Sequence, residues 1–299
     1  MQICPRQLIL SAAVFVACSF SVQAESLRLA SNFIWSRGAP WFGGFSGLEI
    51  DKDGSLITLI TDRSHLVRAR LLRQNNAISA IQFIGAAKMK YRNGSPLKGS
   101  GGDSEGLAIS SAGQAYVSFE HTHRVTHLDL QTGVTHRLPT PSAFSAFPSN
   151  SGLEALAVHP NGTLYTLPEE SQARNAPFPL FSYDGAQWQL AHNIPRRGPF
   201  LPVGADFDNA GLLYLLERAV SPLGFRSRIR RFDLTAPDLN ETTLLTSYPG
   251  QFDNLEALSL WQDPAGATRL IMISDDNFFR IQRTQIVEYV LSGSLAPPG

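Results

Sequence analysis

Five acids recur along the chain at nearly constant distance: Glu49, Glu105, Glu154, Asp206 and Glu256 stand 56, 49, 52 and 50 residues apart. Each sits at the opening of an apolar run. A glycine turn and a second apolar run follow, and the second run ends in charged residues. Those terminal groups are Asp62 and Arg63, Glu120, Glu169 and Glu170, Glu217 and Arg218, and Asp275 and Asp276. Carboxylates brought together from distant parts of a chain repel, so they protonate, pair with arginine or bind a cation. Hard oxygen donors, without cysteine and without an organised histidine set, favour Ca2+ over zinc. We therefore expect Glu49, Glu105, Glu154, Asp206, Glu256 and Asp275 to hold Ca2+, with Asp62, Arg63, Arg218 and Arg283 at the reacting group. Such a set suits a small anionic substrate, a phosphate ester foremost. The metal and guanidinium groups clamp its oxygens, and a water of lowered pKa attacks phosphorus with no covalent intermediate.

The elements that must position these residues come from the same repeat. Its copies begin SGLEIDKDG at Ser46, DSEGLAISSAG at Asp103, SGLEALAVHPNG at Ser151, GADFDNAG at Gly204 and DNLEALSLWQDPAG at Asp253. A period near fifty residues built from short strands is the signature of a β-propeller. Room for two further strands follows each of the first four copies: His65–Leu72 and Ile78–Ile84, Arg124–Leu130 and Val134–Leu138, Pro179–Tyr183 and Gln187–Asn193, Arg228–Leu234 and Thr242–Tyr248. Only Gln285–Leu291 follows the fifth. The unassigned strand Leu27–Trp35 can supply the missing one and close the ring, which removes a sheet edge. The expected fold is all-β: a single propeller of five four-stranded blades, or six if Gly85–Gly102 holds further strands. A β-sandwich does not account for five matched repeats.

Within a blade the first strand runs from one face to the other and the second runs back. The leading acids and the terminal groups should therefore share one face, with the glycine turns on the other. The long connections Ala86–Gly102, Thr140–Asn150, Ser171–Phe178, Arg196–Val203 and Ala219–Ser227 should lie on the acid face, where function usually sits. Negatively charged side chains far apart in sequence then meet around one opening.

Composition sets the compartment and the partners. The 25 Lys and Arg balance 25 Asp and Glu, so bulk electrostatics draws neither nucleic acid nor a membrane surface. Arg6, the apolar run Leu8–Phe20 and Val22-Gln23-Ala24 before Glu25 read as a secretory signal peptide over residues 1–24. Residues 25–299 then form the exported domain, periplasmic or secreted. Cys4 and Cys18 both lie in the leader, so the mature chain carries no cysteine and forms no disulfide. No other run is apolar enough to span a membrane, and a monomer is expected.

The segments Phe45–Arg63, Asp103–Glu120, Ser151–Glu170 and Asp206–Arg218, and above all SDDNFFRIQRTQIVEYVL (Ser274–Leu291), resemble the phytase-like domain family, described by an esterase-like activity of phytase. The resemblance runs from about Leu27 to Leu291. It implies an exported propeller and Ca2+-assisted hydrolysis of phosphate monoesters such as inositol phosphates; it carries no set of catalytic residues across. Two other functions stay open. The same Ca2+ could polarise a carboxylic ester or lactone while an acid serves as general base. Alternatively the propeller binds a glycan, a peptide or a cell-envelope partner without turnover. Gly102-Asp103-Ser104-Glu105-Gly106 matches a serine-hydrolase pattern, but a strand follows it where that chemistry needs a helix. His121 and His123 lack a third ligand at zinc spacing.

Overall fold

The computed structural model describes residues 25–292, apart from 149–150, 172 and 174. Residues 1–24, expected from the sequence to be a signal peptide, lie outside the described residues. Strand β1 (Ser26–Ile34) is followed by five groups of antiparallel strands. Blade 1 holds β2 (Phe45–Ile50), β3 (Leu56–Thr61), β4 (His65–Gln74) and β5 (Ala77–Lys88); blade 2 holds β6 (Ser104–Ile109), β7 (Ala115–Phe119), β8 (Arg124–Leu128) and β9 (Thr135–Arg137). Blade 3 comprises β10 (Leu153–Val158), β11 (Leu164–Pro168), β12 (Phe178–Tyr183) and β13 (Trp188–Ile194). Blade 4 comprises β14 (Leu201–Phe207), β15 (Leu213–Ser221), β16 (Gly224–Phe232) and β17 (Thr242–Thr246). In blade 5, β18 (Asn254–Gln262), β19 (Thr268–Asp275) and β20 (Gln285–Ser292) are completed by β1, which pairs antiparallel with β20 from Ser26↔Ser292 to Ile34↔Gln285. The molecule is a five-bladed β-propeller closed by its first strand. Gly85–Gly102 contributes the end of β5, a short 3-10 turn and isolated bridges, not a sixth blade.

Strand periodicity explains how the blades cohere. Successive side chains point to opposite faces, and in a propeller both faces of a blade are covered. In β15, Leu213 and Leu215 pack into the apolar layer shared with blade 3, while Tyr214 and Leu216 pack into the layer shared with blade 5. In β19, Ile271 and Ile273 face blade 1 and Leu270 and Met272 face blade 4. One apolar layer lies between each pair of adjacent blades. Each fully buried Leu, Ile or Phe contributes about 1.5–3 kcal/mol. The inner strands β2, β6, β10, β14 and β18 touch one another in that order around the axis and back to β2.

Buried ion pairs act alongside this packing. Glu288 on β20 receives both terminal nitrogens of Arg73 at 2.6 and 2.7 Å, Arg269 Nη1 at 3.0 Å and Trp261 Nε1 at 3.0 Å, which ties blade 1 to blade 5. Glu217 is likewise taken by Arg228 and Arg230, the latter fully buried. Glu217 thus has a structural partner inside blade 4. Two expected loops are also shorter than the sequence suggests. Ala219–Ser227 is a β-hairpin continuing β15 into β16, and Leu201–Val203 already belongs to β14. Among the described residues, no helix is long and apolar enough to cross a membrane.

Candidate functional site

A β-bulge near the start of every inner strand organises the axis. Between β2 and β3 the pairing jumps at Ser46, between β6 and β7 at Glu105-Gly106, between β10 and β11 at Glu154, between β14 and β15 at Val203, and between β18 and β19 at Glu256. A bulged residue has no partner across the ladder, and its side chain is re-aimed. In three blades that residue is a glutamate. Small residues follow the bulge: Gly47, Gly106, Ala155, Gly204 and Ala257. A side chain at Gly106 or Gly204 would meet the neighbouring blade's backbone at 2.7 and 2.9 Å, so the inner strands approach as closely as they do only because these positions are glycine. Leu48, Leu107, Leu156, Ala205 and Leu258 come next and narrow the axis to a void of about 10 Å3. The channel is therefore closed mid-way, leaving two separate mouths.

The loop-face mouth gathers the bulge acids with the ends of the second strands. Burial raises Glu105 and Glu154 well above the ordinary carboxylate range; Glu154, Asp103 and Glu256 add to this at Glu105, and Glu169 and Glu256 at Glu154. Asp275 is pushed up to about 8 by burial and by Glu256, and Asp62 to about 7 by burial and by Asp275. Asp103, Glu120 and Glu256 are raised chiefly by burial as well. Against these stands Arg218. Its Nη1 donates to Asn254 Oδ1 at 2.9 Å and to Glu256 Oε1, and its Nη2 donates to Glu169 Oε1 at 2.5 Å. Burial alone would lower the guanidinium pKa, but Glu256, Glu169 and Glu154 together hold it above its usual value.

The rim holds further groups. Asp62 Oδ1 is buried and has no hydrogen-bond partner among the described residues. The turn before β2 presses onto it: Gly44 has φ +61°, and a Cβ there would collide with Asp62 Oδ1, while one at Gly43 would lie 2.5 Å from Asp276 Oδ1. Arg63 stacks its guanidinium 3.4 Å over the Phe278 ring. Asp103, Glu120 and His121 offer ligand atoms all within 4.8 Å of one another, with His121 Nε2 3.1 Å from Asp103 Oδ2. Asp276 is engaged locally, by Gly44 N, Phe278 N and Thr284 Oγ1.

The structure brings together Glu105, Glu154, Glu256, Asp275, Asp62 and Arg218, with Arg63 at their edge. It separates the others. Arg283 is 57% exposed, with Nε 3.9 Å from Asp253 Oδ2, outside the cluster. Glu49 and Asp206 open onto the opposite, hairpin-face mouth. The expectation that all five leading acids share one face is therefore wrong, and register is the reason. Glu49 and Asp206 stand three residues beyond the bulge position of their strands, where Glu105, Glu154 and Glu256 are themselves bulged. Glu49 Oε1 accepts the N–H of Ile109, and Asp206 Oδ2 that of Leu260, each on the next blade. Ser104 is no nucleophile in waiting: it is fully buried, and its hydroxyl donates to the Thr61 carbonyl at 2.6 Å. Asp103 and His121 are site neighbours that the repeat pattern did not single out.

A sequence model of the phytase-like family, described as esterase-like activity of phytase, matches residues 40–278, well over half of the chain. The chain belongs to the phytase-like family. The match covers the loop-face cluster and stops short of β1 and β20, the two strands that close the ring. A comparison with curated proteins gives no significant match. Among solved structures, the catalytic domain of the Coprinopsis cinerea GH62 α-L-arabinofuranosidase is similar in fold, with 10% identity, a TM-score of 0.54, and coverage of 91% of this chain and 99% of that one. The PQQ-bound aldose sugar dehydrogenase of Streptomyces coelicolor aligns at 12% identity over 90% and 99% of the two chains, with a TM-score of 0.48. A gluconolactonase of Xanthomonas campestris aligns at 13% over 82% and 72%, with a TM-score of 0.43.

In this family member the loop-face residues fit a hard divalent cation. Most of the donors are carboxylate oxygens, Asp103, Glu120 and His121 offer ligand atoms within 4.8 Å of one another, and the guanidinium of Arg218 among them is already engaged. The partnerless Asp62 Oδ1 points the same way. Membership in a family described by esterase-like activity indicates hydrolase-type chemistry.

Proposed function

We propose that this chain is an exported, Ca2+-dependent ester hydrolase whose reacting centre is the loop-face mouth. One observation carries the reading: carboxylates from four blades converge there, raised by burial and mutual repulsion, with more negative charge than Arg218 can neutralise. Glu105, Glu154, Glu256 and Asp275 would hold the ion. When bound, a divalent cation neutralises these charges, acts as a Lewis acid toward an ester oxygen and lowers the pKa of a nearby water. Arg218 serves as a positioning residue, because its bonds to Glu256, Glu169 and Asn254 set the carboxylate rotamers. Asp62 stands beside Asp275 with its carboxyl pushed up to about 7, and would serve as the group that takes a proton from the attacking water. Arg63, adjoining Asp62, is the cation available at the rim for an anionic substrate oxygen.

The family description favours a phosphoric ester, a phosphate monoester in particular. A second reading, hydrolysis of a carboxylic ester or lactone, is favoured by the engagement of Arg218 and the position of Arg283. These leave Arg63 alone of the three expected phosphate clamps. Assay of the purified protein against an aryl phosphate and an aryl ester, with Ca2+ and then with chelator, decides between them. Turnover of one class that chelator abolishes is the expected result. Turnover unaffected by chelator removes the metal from the reading, and no turnover of either class, with Ca2+ still raising the melting temperature, makes the propeller a binding module. Export is checked by the mass of the secreted chain, expected to begin at Glu25.

A further inference from the structure

A second cavity lies at the other end of the axis. It measures about 700 Å3, within the range of small-molecule sites, and is lined by the hairpin ends of all five blades. Ile109, Val158, Phe207 and Leu260, each from a different blade, form an apolar part of its walls, beside polar and charged residues. At its floor are Glu49 and Asp206, joined through one hydroxyl: Ser259 Oγ lies 3.2 Å from Glu49 Oε2 and 3.3 Å from Asp206 Oδ2. In blades 2 and 3 the same register position is Ala108 or Ala157, so the polar floor occupies one side of the axis and open space the other.

We propose that this hairpin-face mouth is a second binding site, separate from the acidic loop-face mouth, for a small primary amine with an apolar body, its ammonium group seated against Glu49 and Asp206. Ser259 has one proton to give and two carboxylate oxygens facing it. Asp206 Oδ2 also receives Leu260 N–H at 2.7 Å, whereas Ser259 is the only donor to Glu49 Oε2 among the described residues. A carboxylate oxygen accepts two hydrogen bonds, so lone pairs on this pair remain for an outside donor. An ammonium carries three N–H donors and a charge that both carboxylates can share. The remaining charged lining, Asp51, Asp208 and Asp263 against Lys52 and Arg68, keeps the mouth net negative and disfavours an anionic ligand. Burial, and then the Asp206 charge, raise Glu49 well above its ordinary range. The leucine constriction below, with its void of about 10 Å3, separates such a ligand from the loop-face cluster.

The test titrates the whole mature protein with 4-phenylbutylamine, with the equally shaped 4-phenylbutanol and with 4-phenylbutyrate, by calorimetry. Saturable 1:1 binding of the amine is expected, with the alcohol and the acid at least about tenfold weaker, the ratio expected for one lost charged hydrogen bond. Glu49→Gln should weaken the amine by a similar factor. Ser111→Trp, which places bulk at an exposed turn on the cavity rim, should block it while leaving the fold intact. Equal binding of alcohol and amine overturns the proposal, as does absence of saturable amine binding or unchanged affinity in both variants. Displacement of the amine by Ca2+, or its loss in Asp275→Asn, would put the ligand in the loop-face mouth and equally overturn it. None of these outcomes depends on ester turnover.

Discussion

The two mouths of one channel carry the same residue type for different ends. On the loop face, glutamates sit on β-bulges, freed from the ladder and aimed at one another across the blades. On the hairpin face, Glu49 and Asp206 sit at regular strand positions and accept the backbone N–H of the next blade. One set concentrates charge that the protein does not neutralise; the other satisfies backbone donors and stitches the ring. A carboxylate at a fixed repeat interval is thus no guide to its work. Its place relative to the bulge decides which mouth it lines and which backbone donors it meets.

The comparison can be broken most forcefully by removing loop-face acids. Asp275→Asn or Glu154→Gln should lower Ca2+-dependent ester turnover by about 100-fold or more, whereas Ser111→Trp on the hairpin face should leave it within about twofold. Similar losses from both faces, measured as kcat/KM, would mean that the mouths do not act separately. Arg218→Met should come next in size. Taking away one member of a buried ion pair costs about 3–5 kcal/mol, and urea unfolding at pH 8 should show that loss.

The pH dependence of the metal-free protein follows from the raised pKa values. Asp62 and Asp206 near 7 and Asp275 near 8 lie above the unfolded value of about 4. The native state therefore binds more protons than the unfolded state between about pH 4 and pH 8, and stability falls as pH rises through that window. Calcium should raise the melting temperature more at pH 8 than at pH 5. A flat profile without metal would show that these acids are not held in buried sites.

Smaller effects sharpen the contrast. Gly44→Ala forces a side chain into the left-handed region and against Asp62, and should cost about 1–3 kcal/mol along with part of the turnover. Glu49→Gln should act in the opposite direction. It keeps an acceptor for Ile109 N–H and relieves the repulsion with Asp206, so denaturation at pH 8 should show a gain of about 1 kcal/mol.

Much of the fold was legible because propeller repeats are local. His65–Leu72, Pro179–Tyr183 and Gln285–Leu291 each fall on an observed strand, and the apolar runs at both ends of the chain meet as β1 and β20. The hairpin Ala219–Ser227 is harder to see in the sequence, because Pro222 and the polar pair Arg226-Ser227 interrupt the apolar pattern. The division of the acids was present in the sequence too, measured from the other end of the strand. Glu49 and Asp206 stand five residues before Gly54 and Gly211, whereas Glu105 and Glu154 stand eight before Gly113 and Gly162 and Glu256 ten before Gly266. Counting from the turn gives the depth of each acid along the axis; counting from acid to acid conceals it.

By itself, then, the order of residues determined the propeller repeat, the way the ring closes and the family, because strand period, turn glycines and repeat length act over short stretches of chain. Which carboxylates became neighbours, and that Arg218 is held by Glu169 and Glu256 rather than free for a substrate, was decided only when five blades packed around one axis. The physical reason is that a bulge shifts register by a single residue. Its consequence for a side chain depends on the strands it meets from the neighbouring blades, and these lie some fifty residues away in sequence.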